Sequence, residues 1–201
     1  MVVIQPFEWL VFGLGALAGA VNLTGVLASI SGTVSYYPLG SRDWQYYTFW
    51  GLSHVLNGSL LVLGILQFDA LGLPPWTRLL GGALLVAGFL VVLVATRTLG
   101  VEQTRGMNEE LQTEGVYRLS RNPQYVGYIL ATIGFPLVTD APLVVVLCGL
   151  YLALWVSFPF AEEPWLSEQY GDVYEQYVID VPRFVGGETI TRLRGDDYSN
   201  N

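Results

Sequence analysis

The chain has 201 residues, of which 52% are hydrophobic and 13% are charged, and its formal net charge at pH 7 is −8. Soluble domains carry about 25% charged residues, and the apolar residues here form long blocks, so the composition predicts a multi-pass membrane protein. The acidic balance argues against a nucleic acid partner, because binding phosphates requires clustered cations. A single cysteine, Cys148, excludes an internal disulfide and a cysteine metal site.

Three apolar segments precede the longest polar connection. The N-terminus lacks the basic region and the cleavage pattern of a signal peptide, so we interpret its apolar segment as a retained first span. Small residues in that segment allow helices to approach closely, and the aromatic cluster from Trp44 to Trp50 is typical of a membrane interface. The predicted spans cover residues 8–30, 44–68 and 76–96.

The polar connection, residues 97–122, is followed by two shorter apolar stretches at 123–138 and 143–160. They have roughly 16 and 18 residues, so they form either a spanning hairpin or a partly re-entrant one. In both cases the chain returns to the side that it left. The sequence therefore predicts an all-α bundle of about five transmembrane helices, with residues 115–127 and the pair Glu162-Glu163 facing the same compartment.

The distribution of arginine gives the expected orientation. All nine basic residues are arginines, and with the N-terminus outside, eight of them lie on the inner side of the membrane. Only Arg78 lies near an outer end. Because inner segments of membrane proteins are enriched in basic residues, we expect the two polar clusters to face the cytoplasm.

A second type of helix is predicted after Phe160. Proline is favoured in the first turn of a helix and acidic residues favour its positive end, so Glu162-Glu163-Pro164 predicts a helix start. Apolar residues then recur at helical spacing, which predicts a cytoplasmic amphipathic surface helix, broken near Gly171. The chain divides into a three-helix N-terminal part (1–96), a part with the connector, hairpin and C-terminal helix (97–184) and a polar tail (185–201).

The tripeptide Arg121-Asn122-Pro123 has two interpretations. Asparagine is a preferred N-cap and proline is favoured as the first helical residue, so the tripeptide predicts a plain helix start with an interfacial arginine. Free backbone N–H groups beside Arg121 would also form an anion-binding corner, and Tyr117 and Tyr125 add aromatic faces that can hold a cation or a flat ring. Glu162-Glu163 is likewise either a stabilising feature or a ligand-binding pair.

Four polar residues inside the apolar segments are expected to stabilise helix contacts. His54, the only histidine, is expected to form a neutral hydrogen bond between helices, although an ionisable group inside a membrane is also a functional candidate. The other three, Asn22, Asn57 and Ser59, are expected at helix–helix contacts.

The polar motifs together resemble a known family. The pattern Gly115-x-Tyr-Arg-x-x-Arg-Asn-Pro-x-Tyr-x-Gly127 is followed about 35 residues later by Glu162-Glu163 and then by a run of tyrosines that ends in Val-Pro-Arg183. This order is similar to that of the small integral-membrane methyltransferases, which include isoprenylcysteine carboxyl methyltransferase and the phospholipid methyltransferases. The resemblance covers roughly residues 97–184. It implies S-adenosylmethionine in a cytoplasm-facing pocket closed by the last helices, and a lipid-like or prenylated acceptor that enters from the bilayer.

The resemblance also implies the residues of the site. The resemblance implies catalytic roles for Arg121 and Glu163. Asn122 departs from the family, which usually has histidine there. Asparagine keeps a hydrogen-bond donor and a cap acceptor but cannot carry a proton's charge near neutral pH, so a purely structural or cofactor-orienting role survives and an acid–base role does not. The residues implied for cofactor binding are Gly115, Tyr117, Arg118, Arg121, Asn122, Pro123, Tyr125, Gly127, Glu162 and Glu163.

The reaction implied by the resemblance is a direct displacement, in which an acceptor oxygen or nitrogen attacks the sulfonium methyl group in line. A carboxylate acceptor is already ionised and needs only alignment and desolvation. An amine acceptor must first lose a proton, with help from Glu163 or a tyrosine, and the absence of the family's histidine favours an acceptor that needs no base. Two alternatives are a sterol-reductase-like membrane reductase that binds NADPH, and a catalytically inactive membrane interaction protein.

Overall fold

The computed structural model describes residues 3–99, 111–187 and 189. Regular structure in these ranges is helical, which confirms the predicted all-α class. A short 3-10 turn, Gly115–Arg118, precedes the fourth helix. The helices are α1 (Pro6–Ile30), α2 (Trp44–Leu66), α3 (Pro75–Leu99), α4 (Pro123–Thr139), α5 (Pro142–Tyr170) and α6 (Asp172–Asp180).

Five of these helices run between the two ends of the bundle. The helices α1, α2, α3 and α5 are long and apolar enough to cross a membrane, and α4, with 17 residues, is about 26 Å long. At one end, the backbone N–H of Asp69 donates to the carbonyl of Thr139 at 2.9 Å. At the other end, Tyr37 contacts Tyr125 and Glu162. The α4–α5 hairpin therefore traverses the bundle, as expected for about five spans.

Helix α5 differs from the prediction. The expected helix start at Pro164 is wrong, because α5 continues through Pro159 and Pro164 to Tyr170. An internal proline removes a backbone hydrogen bond at a cost of about 3 kcal/mol, and here the buried core around Pro159 and the side-chain bonds of Glu162 and Glu163 offset that cost. The two acids therefore lie inside a helix, with Glu162 about 30 Å along the helix from Pro142, a distance that matches the hydrocarbon thickness.

The break near Gly171 is confirmed, and α6 has the predicted two faces. Gly171 has a φ of 53°, which favours glycine, and α6 begins at the next residue. Tyr174 and Tyr177 are buried against Val181 on one face, whereas Ile179 is exposed on the other. Of the predicted polar tail, residues 188 and 190–201 lie outside the described residues, as do residues 100–110 of the connector.

Helices α3 and α4 are in direct backbone contact. A Cβ placed on Gly127 would lie 2.6 Å from the carbonyl oxygen of Gly88, and a Cβ on Gly134 would lie 2.5 Å from the carbonyl oxygen of Gly81. Gly81 and Gly88 are seven residues apart on α3, and Gly127 and Gly134 are seven residues apart on α4. The two glycines of each helix therefore lie on one face of it. Glycine at these positions allows the two backbones to approach as closely as they do.

The helices α1, α2 and α5 share the main core, and polar side chains join them as predicted. Asn22 of α1 donates to the carbonyl oxygen of Phe49 and to the hydroxyl of Ser53, both at 3.2 Å. Asn57 of α2 donates to the Tyr151 hydroxyl at 2.8 Å, and Ser59 packs against α1 at Gly15.

The prediction for His54 is wrong. Its ring nitrogen Nδ1 contacts the carbonyl oxygen of Trp50 one turn earlier in the same helix. The histidine is exposed on the outer side of α2, and this hydrogen bond stays within its own helix.

Candidate functional site

The structure brings the two polar clusters of the sequence together at one end of the bundle. The Tyr125 hydroxyl donates to Glu162 Oε1 at 2.5 Å, and Arg121 Nη2 lies 3.4 Å from Glu163 Oε1. Tyr125 is in the first turn of α4, and Arg121 lies just before it. The start of α4 and the late part of α5 therefore form one cluster.

The segment before α4 is held by α6 and by the residues that follow it. Gly115 begins the 3-10 turn with a φ of 59°. Tyr117 is buried, its carbonyl accepts from the Tyr177 hydroxyl at 2.7 Å, and burial raises the pKa of its phenol. The backbone N–H of Arg121 donates to the carbonyl of Pro182 at 2.9 Å. These bonds fix the position of Arg121.

Asn122 has a different partner from the one predicted. It precedes Pro123, the first residue of α4 as expected, but its side chain does not cap the helix. Its ψ of 55° is not extended as an N-cap requires, and its Nδ2 donates to the carbonyl oxygen of Arg183 at 3.0 Å. Asn122 therefore attaches the C-terminal segment to the start of α4.

Glu162 lies between two phenols. Its Oε1 accepts from Tyr125 and also from Tyr37 at 2.6 Å, and the two phenol oxygens are 2.9 Å apart. The Tyr37 ring packs on Phe158, with ring centroids 4.8 Å apart. Burial and the neighbouring Glu162 carboxylate raise the pKa of Tyr37. Tyr37 belongs to the loop between α1 and α2 and was not among the predicted site residues.

Glu163 is held by two arginines. Arg183 binds it with two hydrogen bonds, from Nε at 2.8 Å and from Nη2 at 2.5 Å, and this contact raises the pKa of Arg183. The Arg183 guanidinium also lies 4.0 Å from the centroid of the Phe160 ring. Sequence reasoning included Arg183 in the family-like run but did not assign it to the site.

Some hydrogen-bond donors of Arg121 are unsatisfied among the described residues. Its side chain is only 8% exposed, and its Nε and Nη1 have no hydrogen-bond partner among the described residues. An unsatisfied buried donor costs about 1–3 kcal/mol, and more when it is charged. The cluster is therefore suited to binding an anionic group of a ligand at Arg121.

A cavity of about 500 Å³ adjoins the cluster, with Tyr37 and Tyr125 in its wall. Among the described residues, no charged one is part of its lining. Leu61 of α2 and Phe89 of α3 line the cavity and are also 60% and 58% exposed, so it opens sideways between these helices. Its other aromatic lining residues are Phe49, Trp50, Tyr128, Phe135, Tyr151, Trp155 and Phe158.

The remaining predicted site residues lie around this centre. Pro123 starts α4, Arg118 is exposed at the end of the 3-10 turn, and Gly127 lies at the contact with Gly88 of α3. Packing against α3 thus accounts for the glycine at 127. Its predicted cofactor role, like those of the other residues, stays a prediction.

Comparison with known families gives one relationship. The phospholipid methyltransferase family matches residues 76–173, which include the start of α4 and the whole of α5. No curated protein and no solved structure matches the chain. The matched region contains Arg121, Glu162 and Glu163, which meet in the cluster. The stretch from residue 76 to residue 173 is therefore similar to the phospholipid methyltransferases, which confirms the predicted resemblance.

Proposed function

We propose that the protein is an integral membrane methyltransferase that transfers a methyl group from S-adenosylmethionine to a lipid-like acceptor. The observation that carries the proposal is the position of the charged cluster around Arg121 and Glu163 directly beside an apolar cavity that opens sideways. A polar methyl donor and an apolar acceptor need two such environments in contact.

The residues of the cluster fit S-adenosylmethionine. The Nε and Nη1 groups of Arg121, which have no partner within the described ranges, suit a carboxylate, and the carboxylates of Glu162 and Glu163 suit an ammonium group or ribose hydroxyls. Nearby aromatic faces, such as that of Tyr125, suit a positively charged sulfur or an adenine ring. When bound, this cofactor supplies an electrophilic methyl group on a sulfonium.

The cavity suits the acceptor. Its apolar walls can hold hydrocarbon chains, and its mouth between Leu61 and Phe89 allows a lipid to enter from the bilayer. Excluding water and aligning the reacting groups are the main contributions that a direct displacement needs from the protein. The Trp50 indole N–H lies in the wall without a partner among the described residues, so it can bind an oxygen of the lipid headgroup.

We favour an amine over a carboxylate as the acceptor group. The lining residues that the structure describes include no cation that would bind a carboxylate. Aromatic faces and the carboxylate of Glu162 instead stabilise positive charge, which an amine carries before and after methylation. A lipid amine therefore fits this site better than an isoprenylcysteine carboxylate.

The proposed site faces the cytoplasm. Within the described ranges, several arginines lie at the site end of the helices. At the other end lies Arg78, which pairs with Asp69. Arg105, Arg192 and Arg194 lie outside the described residues. A C-terminal tag should be accessible only from the cytoplasmic side of oriented vesicles, and accessibility from outside alone would reverse this orientation.

Isothermal titration of the detergent-purified protein with S-adenosylmethionine tests the proposed function. We expect binding that weakens about 10- to 100-fold in Arg121→Ala and in Glu163→Ala, because each change removes hydrogen bonds to a charged group. Arg42→Ala, which removes an arginine from the loop before α2, is the matched control and should bind like the wild type.

Parallel titrations separate the alternatives. No binding of S-adenosylmethionine to the wild type would contradict the proposal. Binding of NADPH in its place would support the reductase, and no effect of either compound on the melting temperature would support an inactive interaction protein.

A further inference from the structure

Three oxygen atoms form a closed triangle beside the cavity. Glu162 Oε1 lies 2.6 Å from the Tyr37 hydroxyl and 2.5 Å from the Tyr125 hydroxyl, and the two hydroxyls are 2.9 Å apart. All three distances are those of hydrogen bonds. Tyr37 comes from the loop between α1 and α2, which lies outside the region that matches the family.

The number of hydrogens decides how well this triangle is satisfied. When Glu162 is ionised, the two phenols supply two hydrogens for three oxygen–oxygen contacts, and if both point at the carboxylate, the contact between the phenols has none. When Glu162 Oε1 carries a proton, each of the three oxygens donates to one neighbour and accepts from the other. One additional proton therefore completes the hydrogen bonding of the triangle.

We propose that Glu162 Oε1 takes the proton that an ammonium acceptor must lose, and that Tyr37 and Tyr125 position this oxygen for that transfer. The inference rests on the proposed function with an amine acceptor. The N–H bond of the ammonium group breaks, its electron pair stays on the nitrogen, and the proton forms the O–H bond of a neutral Glu162. The nitrogen lone pair then forms the new bond to the methyl carbon, and the electron pair of the broken C–S bond stays on the sulfur of the donor.

The neighbouring groups favour Glu162 over Glu163 for this role. Glu163 accepts two hydrogen bonds from Arg183 and forms an ion pair with Arg121, so its oxygens are already occupied by two guanidinium groups. The hydrogen bonds of Glu162 come from neutral phenols. The other titratable groups that face Glu162 are Glu163 on the same helix, Tyr117 in the 3-10 turn and Tyr174 on α6.

Infrared titration of the protein without ligands in lipid nanodiscs tests the triangle directly. We expect a carbonyl band of a protonated carboxyl group that titrates with pH and is missing in Glu162→Gln. In Tyr37→Phe the midpoint of this band should rise by about one pH unit, because the ionised carboxylate loses one charge-assisted hydrogen bond.

The adjacent tyrosine is the matched control. Tyr36 is also buried near the site end, but its hydroxyl donates to Asn22 Oδ1 at 2.6 Å. Tyr36→Phe should therefore leave the midpoint unchanged, although it also removes one buried hydrogen bond. A band that Glu162→Gln does not remove, or the same midpoint in both tyrosine variants, would overturn the inference.

Activity measurements then connect the triangle with catalysis. With an amine lipid as acceptor, the acidic limb of the rate–pH profile should move in Tyr37→Phe by the same amount as the infrared midpoint, whereas the affinity for S-adenosylmethionine should stay within about twofold. If the cofactor binds but the rate–pH profile of Tyr37→Phe does not move, the proton transfer is refuted and the proposed function is not. No cofactor binding to the wild type would refute the proposed function, and with it the proton transfer, whatever the infrared result.

Discussion

Glu162 and Glu163 are consecutive residues of α5, and each contacts a different part of the molecule. Successive side chains on a helix point about 100° apart, so Glu162 reaches the phenols of Tyr37 and Tyr125 while Glu163 reaches the guanidinium groups of Arg121 and Arg183. One acid is therefore beside the cavity and the other joins α5 to the segments around α4 and after α6.

Removing Arg183 should weaken this junction. We expect Arg183→Ala to lower the free energy of unfolding by about 1–3 kcal/mol, because Glu163, whose side chain is 17% exposed, loses its two-point partner. Thermal unfolding in detergent measures the change. Arg183→Lys keeps the charge without the planar fork, so its stability should fall between that of wild type and that of Arg183→Ala. An unchanged melting temperature in Arg183→Ala would show that the pair contributes nothing to stability.

At the scale of whole elements, the contact between α3 and α4 fixes the position of the start of α4, which contributes to the site. Gly88 and Gly127 meet backbone to backbone near the start of α4, and Gly81 and Gly134 repeat the contact one heptad further along. The close approach leaves no space for a methyl group at these positions. It also fixes α4, which carries Tyr125, against α3.

Adjacent glycines on α3 offer a matched test of this contact. We expect Gly81→Ala to destabilise the protein by about 1–3 kcal/mol, because its Cβ would lie 2.7 Å from the carbonyl oxygen of Gly134. Gly82→Ala should be neutral or slightly stabilising, since no atom lies within 4 Å of its added Cβ. Thermal unfolding of both variants measures the difference. Equal stabilities of the two variants would contradict the close packing of α3 on α4. Thermal unfolding of Gly127→Ala, combined with cofactor titration, separates the role of Gly127 in helix packing from its predicted role in cofactor binding.

At the scale of the whole molecule, the five long helices enclose a cavity beside the core that α1, α2 and α5 share. Helix α3 packs mainly on α4, and α1 packs on α2 and α5, so the space between α2 and α3 is the side on which the bundle is least closed. Because Leu61 and Phe89 at this opening are exposed on the outside of the bundle, the cavity is continuous with the region that lipid occupies.

Filling the cavity should exclude lipid from it. Leu60 lines the cavity and is 6% exposed, so the larger side chain in Leu60→Trp should occupy part of the space and reduce the amount of co-purifying lipid several-fold. Mass spectrometry of extracts from purified protein measures this amount. Leu79→Trp adds the same bulk at a position of α3 that is 78% exposed and should change nothing. A similar loss of lipid in both variants would indicate general disturbance of the bundle.

Residue patterns predicted most of the fold and the centre of the site. The apolar blocks gave α1, α2 and α3 to within a few residues, because long spans must satisfy their backbone within a helix. The motif order named Arg121 and the acidic pair, which the structure brings into contact at the candidate site. The continuation of α5 through two prolines was missed, because local preferences favour a new helix there and tertiary contacts override them.

The two site residues that the sequence did not reveal share one cause. Tyr37 meets Glu162 across 125 positions of sequence and Arg183 meets Glu163 across 20. Neither contact follows from helical spacing, since each depends on how separate segments pack at the end of the bundle. A tyrosine within an aromatic interface loop carries no pattern that distinguishes it from its neighbour Tyr36.

The contact between Tyr37 and Glu162 also has a consequence for biosynthesis. A ribosome releases the N-terminal part of a chain first, so Tyr37 emerges long before the fifth helix that carries Glu162 has been synthesised. The oxygen triangle can close only after that helix has entered the membrane. The site is therefore among the last features to assemble, and a nascent chain that stops before residue 162 does not contain it.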